Sequence, residues 1–410
     1  MTTALATPAA PTPALRSDDD HRGVRLAVVE ASDPRGPIDA MARGEPETYG
    51  FQHYSLSYVL RTAEQTARAT TIATMTEAFE DRRGALDLIG LSYWGKGGPA
   101  RLDAALAAAD PTHIVLRTPL ARVAAWAKRR GVALLPMFAD SFAVSGWSPR
   151  AVRQRLRHAA LARALRGDHV TLACNHNRAA SRDLVRIGVP KDIVLPWEWP
   201  MGEQTETEPP RTLPRDRPFR LLYVGALVRA KGVLDLVSAF GTDAWLRENA
   251  RLTLIGGGDT QDVQQAIDAA GLGETVILTG RVPSERVATE MRRADLVFVP
   301  SHYAYAEGLP KTIREALTAR TPLVLTDHPM FRGYFDDSPA ATFVPEREPA
   351  ALARAARAVL TDDDRYADAS RATSSALAAL NWPHAWADVI DQWLRGDPGG
   401  ELARHRGDWS

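Results

Sequence analysis

At 410 residues and 45% hydrophobic content the chain is long for a single core, so two or three domains are expected. Lys+Arg and Asp+Glu both number 50, which leaves no net charge and no basic excess of the kind a nucleic-acid partner calls for. The only cysteine, Cys174, excludes intrachain disulfides and cysteine-based metal sites, and no run of about 18 apolar residues reads as a spanning helix.

In chain order, residues 1–22 are rich in Ala, Pro and Thr and carry the triplet Asp18-Asp19-Asp20. They read as a disordered tail with a solvated acid cluster, and their apolar stretch is too short for a signal peptide. From 23 to 199 short β-branched runs alternate with helical patterns, the signature of a parallel α/β sheet. Residues 24–29 read as the first strand, a Gly-containing loop runs on to Gly50, and a helix is expected over 52–69. Strands are expected at 70–75, 87–91, 113–116, 132–137 and 170–173, with helices over 99–109, 120–130 and 149–165. Cys174 is expected to be a small buried hydrophobe. The helix over 149–165 and its end carry Arg150, Arg153, Arg155, Arg157, Arg163 and Arg166, interleaved with Val152, Leu156 and Leu165. It reads either as a solvated face or as a surface for an anionic membrane.

Residues 200–217 change character, with Pro200, Pro209, Pro210 and Pro214 among Glu and Thr, and read as a linker. A second α/β set spans 218–380, with strands at 219–224, 252–255, 276–278, 296–299, 323–326 and 342–344. Its helices are expected over 233–240, 261–270, 284–292, 312–319 and 349–360. The closing stretch, 381–410, holds a Trp-rich amphipathic segment over 382–394. Two Rossmann-like domains are therefore expected, and ligands of open parallel sheets bind outside the carboxyl ends of the strands.

The most informative motif is Glu307-Gly308-Leu309-Pro310-Lys311-Thr312-Ile313-Arg314-Glu315, between a strand and a helix. Pro310 suits the first helical position, so the turn before it offers free backbone amides at a helix N-terminus, a site for an anion such as phosphate. Lys311 adds a cation, and the two acids suit hydroxyl groups: a phosphorylated sugar fits the pattern. A second loop, Gly225-Ala226-Leu227-Val228-Arg229-Ala230-Lys231-Gly232, follows another strand. A third, Gly256-Gly257-Gly258-Asp259, permits close backbone approach and equally fits a plain tight turn. A fourth, Gly280-Arg281, also follows a strand, and His302-Tyr303-Ala304-Tyr305-Ala306 leads into Glu307. These rings suit packing on a sugar or covering the domain edge. Of the five lysines (Lys96, Lys128, Lys191, Lys231, Lys311), two fall in these phosphate-site candidates.

The Glu307–Glu315 segment, with Pro300-Ser301 before it and Thr321-Pro322-Leu323-Val324 after it, resembles the Glu-x7-Glu motif of the retaining family 4 glycosyltransferases. The resemblance covers 218–395 well and 22–200 weakly. It implies an α/β GT-B fold: two Rossmann-like domains with parallel sheets facing a cleft, and a C-terminal helix crossing back onto the N-terminal domain. It implies transfer of a sugar from a UDP or GDP type nucleotide sugar to a glycan, lipid-linked or small-molecule hydroxyl, with retention, in polysaccharide or glycoconjugate synthesis and without a cofactor or metal. The Lys231 loop resembles the family's diphosphate clamp, except that Ala226 stands where the family has Arg, and Arg229 is the candidate substitute.

The resemblance makes Glu307, Lys231 and Arg229 the catalytic candidates. It makes Glu315, Gly308, Leu309, Pro310, Lys311, Thr312, Gly225, Gly257 and Arg281 the donor-binding ones, with Glu307 on the sugar and Glu315 on the ribose. Gly50, Asp140 and Arg117 are the acceptor-side candidates. A cytoplasmic protein is expected, with the inner face of the membrane as an alternative station. A sugar-nucleotide epimerase of the same fold, or a non-catalytic nucleotide-sugar-binding protein, are the rival readings.

Overall fold

The structure, a computed structural model, describes residues 21–45, 47, 51–144, 146–200, 209–303, 305, 308–396 and 400–407, apart from the Ser284 side chain. The chain divides into two compact units, one ending near 202 and resuming at Trp382, the other between them up to Asn381.

The N-terminal unit runs β1 (His21–Glu30), α1 (Arg35–Ala42), α2 (Gln52–Gln65), β2 (Thr66–Ala73), β3 (Met75–Arg83), β4 (Leu86–Ser92), α3 (Gly98–Ala109) and β5 (His113–Leu116). It continues through α4 (Ala121–Arg130), β6 (Ala133–Phe138), α5 (Pro149–Ala164), β7 (Ala173–His176), α6 (Asn177–Arg186) and β8 (Val194–Trp197). Among the described residues the strands form one sheet in the order β3-β4-β2-β1-β5-β6-β7-β8, parallel except for the β3–β4 pair. Helices cover both faces of its centre, so β1, β5 and β6 read as nearly unbroken apolar runs.

Several boundaries differ from the sequence reading. The first strand begins at His21, so the expected tail cannot extend to Arg22. The helix expected up to residue 69 stops at Gln65, where Thr66 turns extended; the β-branched run Thr70-Thr71-Ile72 then belongs to a longer strand, β2. The expected strand at 170–173 lies later, over β7. The edge strand β3, Met75-Thr-Glu-Ala-Phe-Glu-Asp-Arg-Arg, escaped notice because charge on an exposed edge leaves no apolar run.

The C-terminal unit runs β9 (Phe219–Val224), α7 (Val233–Thr242), α8 (Ala244–Asn249), β10 (Ala250–Ile255), α9 (Thr260–Ala269), β11 (Val276–Gly280), α10 (Ser284–Arg293) and β12 (Leu296–Val299). It is completed by α11 (Lys311–Thr318), β13 (Leu323–Thr326), β14 (Ala341–Val344), α12 (Pro349–Leu360) and α13 (Asp363–Ala379). Among the described residues its sheet has six parallel strands, ordered β11-β10-β9-β12-β13-β14, which is the Rossmann order with its reversal between β9 and β12. Residues 209–217 do not behave as a free spacer. Arg211 N–H donates to Ser370 Oγ at 2.8 Å and the Arg217 guanidinium forks onto the buried Asp295 at 2.7 and 2.9 Å.

The chain then returns to the N-terminal unit. Trp382 Nε1–H donates to Pro196 O at 2.8 Å, and α14 (Trp386–Leu394) buries Trp386, Val389, Ile390 and Trp393 in a core shared with Tyr54, Tyr58 and Trp197. Large aromatic side chains in such a core are each worth about 3–5 kcal/mol on truncation. A short helix, α15 (Glu401–His405), follows. Cys174 is fully buried, and that burial pushes its thiol well above the usual range.

Candidate functional site

In the C-terminal unit, the loops leaving β9, β10 and β11 are tied to one another by backbone hydrogen bonds. Gly225 N–H donates to Ile255 O (3.0 Å), Leu227 N–H to Gly257 O (2.8 Å), Asp259 N–H to Leu227 O (2.7 Å) and Gly256 N–H to Gly280 O (3.0 Å). The result is a single ledge at the carboxyl ends of three neighbouring strands. Two glycines are obligatory in it. Gly232 has φ of +69°, and a Cβ there would lie 2.0 Å from Pro300 O; at Gly256, φ is +154° and a Cβ would lie 1.8 Å from Gly225 O. At Gly257 a Cβ would meet Arg281 Nε at 2.4 Å, so the bare backbone leaves the room in which Arg281 lies. The three loops singled out separately in the sequence are thus one surface.

Arg229 to Lys231 form a 3-10 turn above this ledge, with Arg229 exposed and Lys231 half-buried. The Lys231 ammonium lies 4.8 Å from the centroid of the Tyr305 ring, a cation–π contact. The loop after β12 is fastened on both sides. His302 N–H donates to Ala230 O at 2.9 Å, and its imidazole Nε2 lies 2.7 Å from Asp235 Oδ2. The Tyr303 amide meets Glu346 Oε2 at 2.5 Å and its hydroxyl bonds Asp327; burial and that carboxylate push the phenol up to about 12. These rings, expected on a sugar or over the domain edge, are engaged by protein groups.

The helix α11 opens next. Pro310 is its cap (φ −62°, ψ 138°), one position earlier than expected, and among the described residues no side chain caps the amides that follow. The first amides of a helix have no partner within it. The Thr312 hydroxyl donates to Val224 O at 3.0 Å and so fixes the helix start to the end of β9. Leu309 is buried beside Gly308. Lys311 does not stand alone as a cation: its Nζ is 3.2 Å from Glu315 Oε1, one turn on and mostly buried. Glu307 and Gly50 lie outside the described residues.

The acceptor-side candidates lie in the N-terminal unit, after β5 and β6. Arg117 donates to Glu30 Oε2 at 2.9 Å, both largely buried, and its guanidinium carbon lies 5.3 Å from the Trp386 ring centroid. Burial raises the Glu30 carboxyl, with Arg117 opposing the shift. Asp140 has its main chain pinned by Asn175, whose amide carbonyl accepts Asp140 N–H at 3.2 Å and whose amide N–H donates to Asp140 O at 2.9 Å. Burial pushes its carboxyl up to about 6, with the Ala139 backbone opposing.

Sequence reasoning missed Glu30 and a second buried pair, His176 Nε2 to Glu198 Oε2 at 3.2 Å, with the imidazole 4.9 Å from the Trp197 ring. The signal was present in the polar triplet Asn175-His176-Asn177, but the expected strand ended before it.

Chemically, the ledge and the α11 N-terminus present backbone donors and the basic side chains of Arg229, Lys231, Arg281 and Lys311 beside the Glu315 carboxylate, which suits an anion joined to a hydroxyl-bearing group. Solved structures share the architecture across both units. A structure of Anabaena Alr3699/HepE in complex with UDP-glucose covers 91% of this chain and 99% of its own at TM-score 0.60 and 14% identity. The fold is GT-B. Residues 204–375 match the family model described as "Glycosyl transferases group 1".

Among curated relatives, glycogen synthase of Mycobacterium tuberculosis is 32% identical over 178 residues, covering 43% of this chain and 41% of that protein. D-inositol 3-phosphate glycosyltransferase of Xylanimonas cellulosilytica is 29% identical over 184 residues, covering 44% and 42%. The matched stretch thus spans less than half the length of these relatives. The family-model match falls within the C-terminal unit, and the solved structures show the fold alone. Among the described residues no helix is long and apolar enough to cross a membrane.

Proposed function

We propose that the chain is a retaining glycosyltransferase of the family 4 type, moving a sugar from a UDP or GDP type nucleotide sugar to an acceptor hydroxyl. The observation that carries this reading is the joining of the Lys231 turn, the Gly256–Gly258 loop and the start of α11 at the β9–β12 reversal. The diphosphate is taken by the α11 amides and Lys231, with Arg229 supplying the charge that Ala226 lacks. Fixed cations and helix-end donors stabilise a departing diphosphate better than water because they need not reorganise. Glu315, held by Lys311, takes the ribose hydroxyls, Glu307 takes the sugar, and Arg281 beside Gly257 borders the base. The departing phosphate oxygen accepts the acceptor's proton, so neither a nucleophilic carboxylate nor a metal is required. Acceptor groups lie in the N-terminal unit near Arg117 and Asp140, and the acceptor is a glycan, lipid-linked or small-molecule alcohol of glycoconjugate synthesis. The UDP-glucose carried by the Anabaena structure supports a nucleotide-sugar donor.

The test is a panel of nucleotide sugars screened by thermal shift, followed by product analysis with the best binder. A ligand at 100 times its dissociation constant adds about 2.7 kcal/mol of stability. Glu315→Ala is expected to weaken binding of the free nucleoside diphosphate, whereas Glu307→Ala lowers turnover with binding little changed. Equal nucleotide affinity in wild type and Glu315→Ala would remove the ribose assignment. Binding without transfer or donor hydrolysis would favour the non-catalytic reading.

A further inference from the structure

The helix α5 packs on the N-terminal unit with an outer face that no protein element covers among the described residues. Its sequence from Pro149 to Ala164 contains Arg150, Arg153, Arg155, Arg157 and Arg163 and no acid, in a chain whose total charge is zero. Ala151, Leu161 and Ala162 face inward. Val152, Leu156, Ala159 and Arg163, at the i, i+4, i+7, i+11 spacing, line the outer face, where Leu156 is 66% and Val152 41% exposed. Arg153 and Arg157 flank this stripe one turn apart.

Two tryptophans extend it. Trp147, just before the helix, is 85% exposed, and Trp94, in the loop after β4, is 59% exposed. Each is met by an arginine of α5: Arg155 lies 4.6 Å from the Trp147 ring centroid and Arg157 4.7 Å from that of Trp94. Lys96, also exposed, shares the Trp94 loop.

We propose that this surface is a docking face for an anionic lipid bilayer. Three features point to lipid. The local positive charge complements an anionic headgroup layer. The exposed tryptophans have the amphipathic shape that favours a membrane interface, and the exposed Arg153 and Arg157 keep charge at headgroup depth, while Arg155 beside Trp147 is tied to Val144 O. The aliphatic stripe of Val152 and Leu156 separates lipid from the other polyanions, because an acidic glycan or a nucleic acid gains nothing from bare Leu and Val, whereas acyl chains do.

The face also has a place in the fold that gives it use. Trp94 follows the carboxyl end of β4, and Trp147 and the start of α5 follow that of β6. Arg117 and Asp140 follow β5 and β6 at the same end of the same sheet. A bilayer against α5 would therefore border the acceptor-side groups of the N-terminal unit. Docking itself needs no transfer reaction, so its failure would leave the proposed activity standing, and the reverse also holds.

The experiment is co-sedimentation of the full chain with vesicles of 30% phosphatidylglycerol in phosphatidylcholine, against pure phosphatidylcholine, across a salt series. Binding to the anionic vesicles is expected at low salt, with a blue shift of tryptophan emission and weakening as salt shortens the screening length. Arg153→Glu with Arg157→Glu is expected to lower partitioning on the order of 30-fold or more. Trp147→Ser with Leu156→Ser, which leaves charge untouched, is expected to lower it about tenfold. Arg153→Gln with Arg157→Gln gives the same reading should the charge reversal disturb folding, as judged by the melting curve. No sedimentation with anionic vesicles at low salt would overturn the proposal. So would binding indifferent to Trp147→Ser/Leu156→Ser, especially if a soluble acidic polysaccharide competed fully, because the face would then be a polyanion site and not a lipid one.

Discussion

In the C-terminal unit Leu227 and Gly257, one loop apart along the sheet, join through a single backbone hydrogen bond, and the ledge follows from glycines that permit the approach. In the N-terminal unit side chains from distant parts of the chain pair instead. At the strand ends Glu30 reaches Arg117 across 87 positions, and behind them the buried Tyr58 hydroxyl of α2 reaches Asp391 Oδ1 of α14, at 2.5 Å, across 333. The first construction depends on backbone shape and leaves basic side chains at the edge. The second buries charge and must pair it, since an unpaired buried charge is expensive. On the proposed function, the difference predicts that substitutions on the ledge act mainly on turnover, and that substitutions in the buried N-terminal pairs cost stability whatever they do to the acceptor.

The largest expected effect breaks the N-terminal pairing. Arg117→Ala strands Glu30, already held high by burial, and removes the cation beside Trp386. A loss of about 3 kcal/mol is expected, the low end for an orphaned buried partner because Glu30 can take a proton. Denaturant melts measure it, and a change under 1 kcal/mol would show the pair to be dispensable.

Next comes the C-terminal counterpart. Lys231→Ala is expected to leave the melting curve near that of wild type and to lower kcat by about 10² or more, close to 2.7 kcal/mol of transition-state stabilisation. A large loss of stability with normal turnover would reverse the contrast between the units.

Asp140→Asn sharpens it through pH. The Asp140 carboxyl is raised from 3.8 to about 6 by burial, so between pH ~4 and ~6 the folded state keeps a proton that the unfolded state has released. Wild-type stability therefore falls as pH rises through that window and stays reduced above it. Asn has no proton to lose, and Asn175 holds only the main chain of residue 140, so the variant is expected to be more stable at pH 7 by about 2 kcal/mol with a flatter profile. A variant no more stable than wild type at pH 7 would overturn the burial account.

The smallest effect concerns the exposed side of the ledge. Arg229→Ala is expected to lower kcat about tenfold, less than Lys231→Ala, because an exposed guanidinium is screened by solvent. Unchanged kcat would remove Arg229 as the partner that Ala226 calls for.

The strands of the C-terminal sheet were legible to within a few residues, because apolar runs bounded by Gly and Pro report a buried parallel strand directly. So was the grouping of motifs at strand ends, since glycines and a proline encode backbone geometry locally. The sequence also determined that α5 is basic. Only the tertiary structure decided what these features meet: that Gly257 makes room for Arg281, that Lys311 answers Glu315, that Tyr305 lies under Lys231, and that Trp94 and Trp147 flank the same face as Arg157 and Arg155. The partners in the pairs Glu30–Arg117 and His176–Glu198 could not be read from the sequence for the same reason, although the triplet around His176 marked a polar spot. Which two polar groups share a low-dielectric site depends on strand order and on the return of the chain at Trp382, and neither has a local signature.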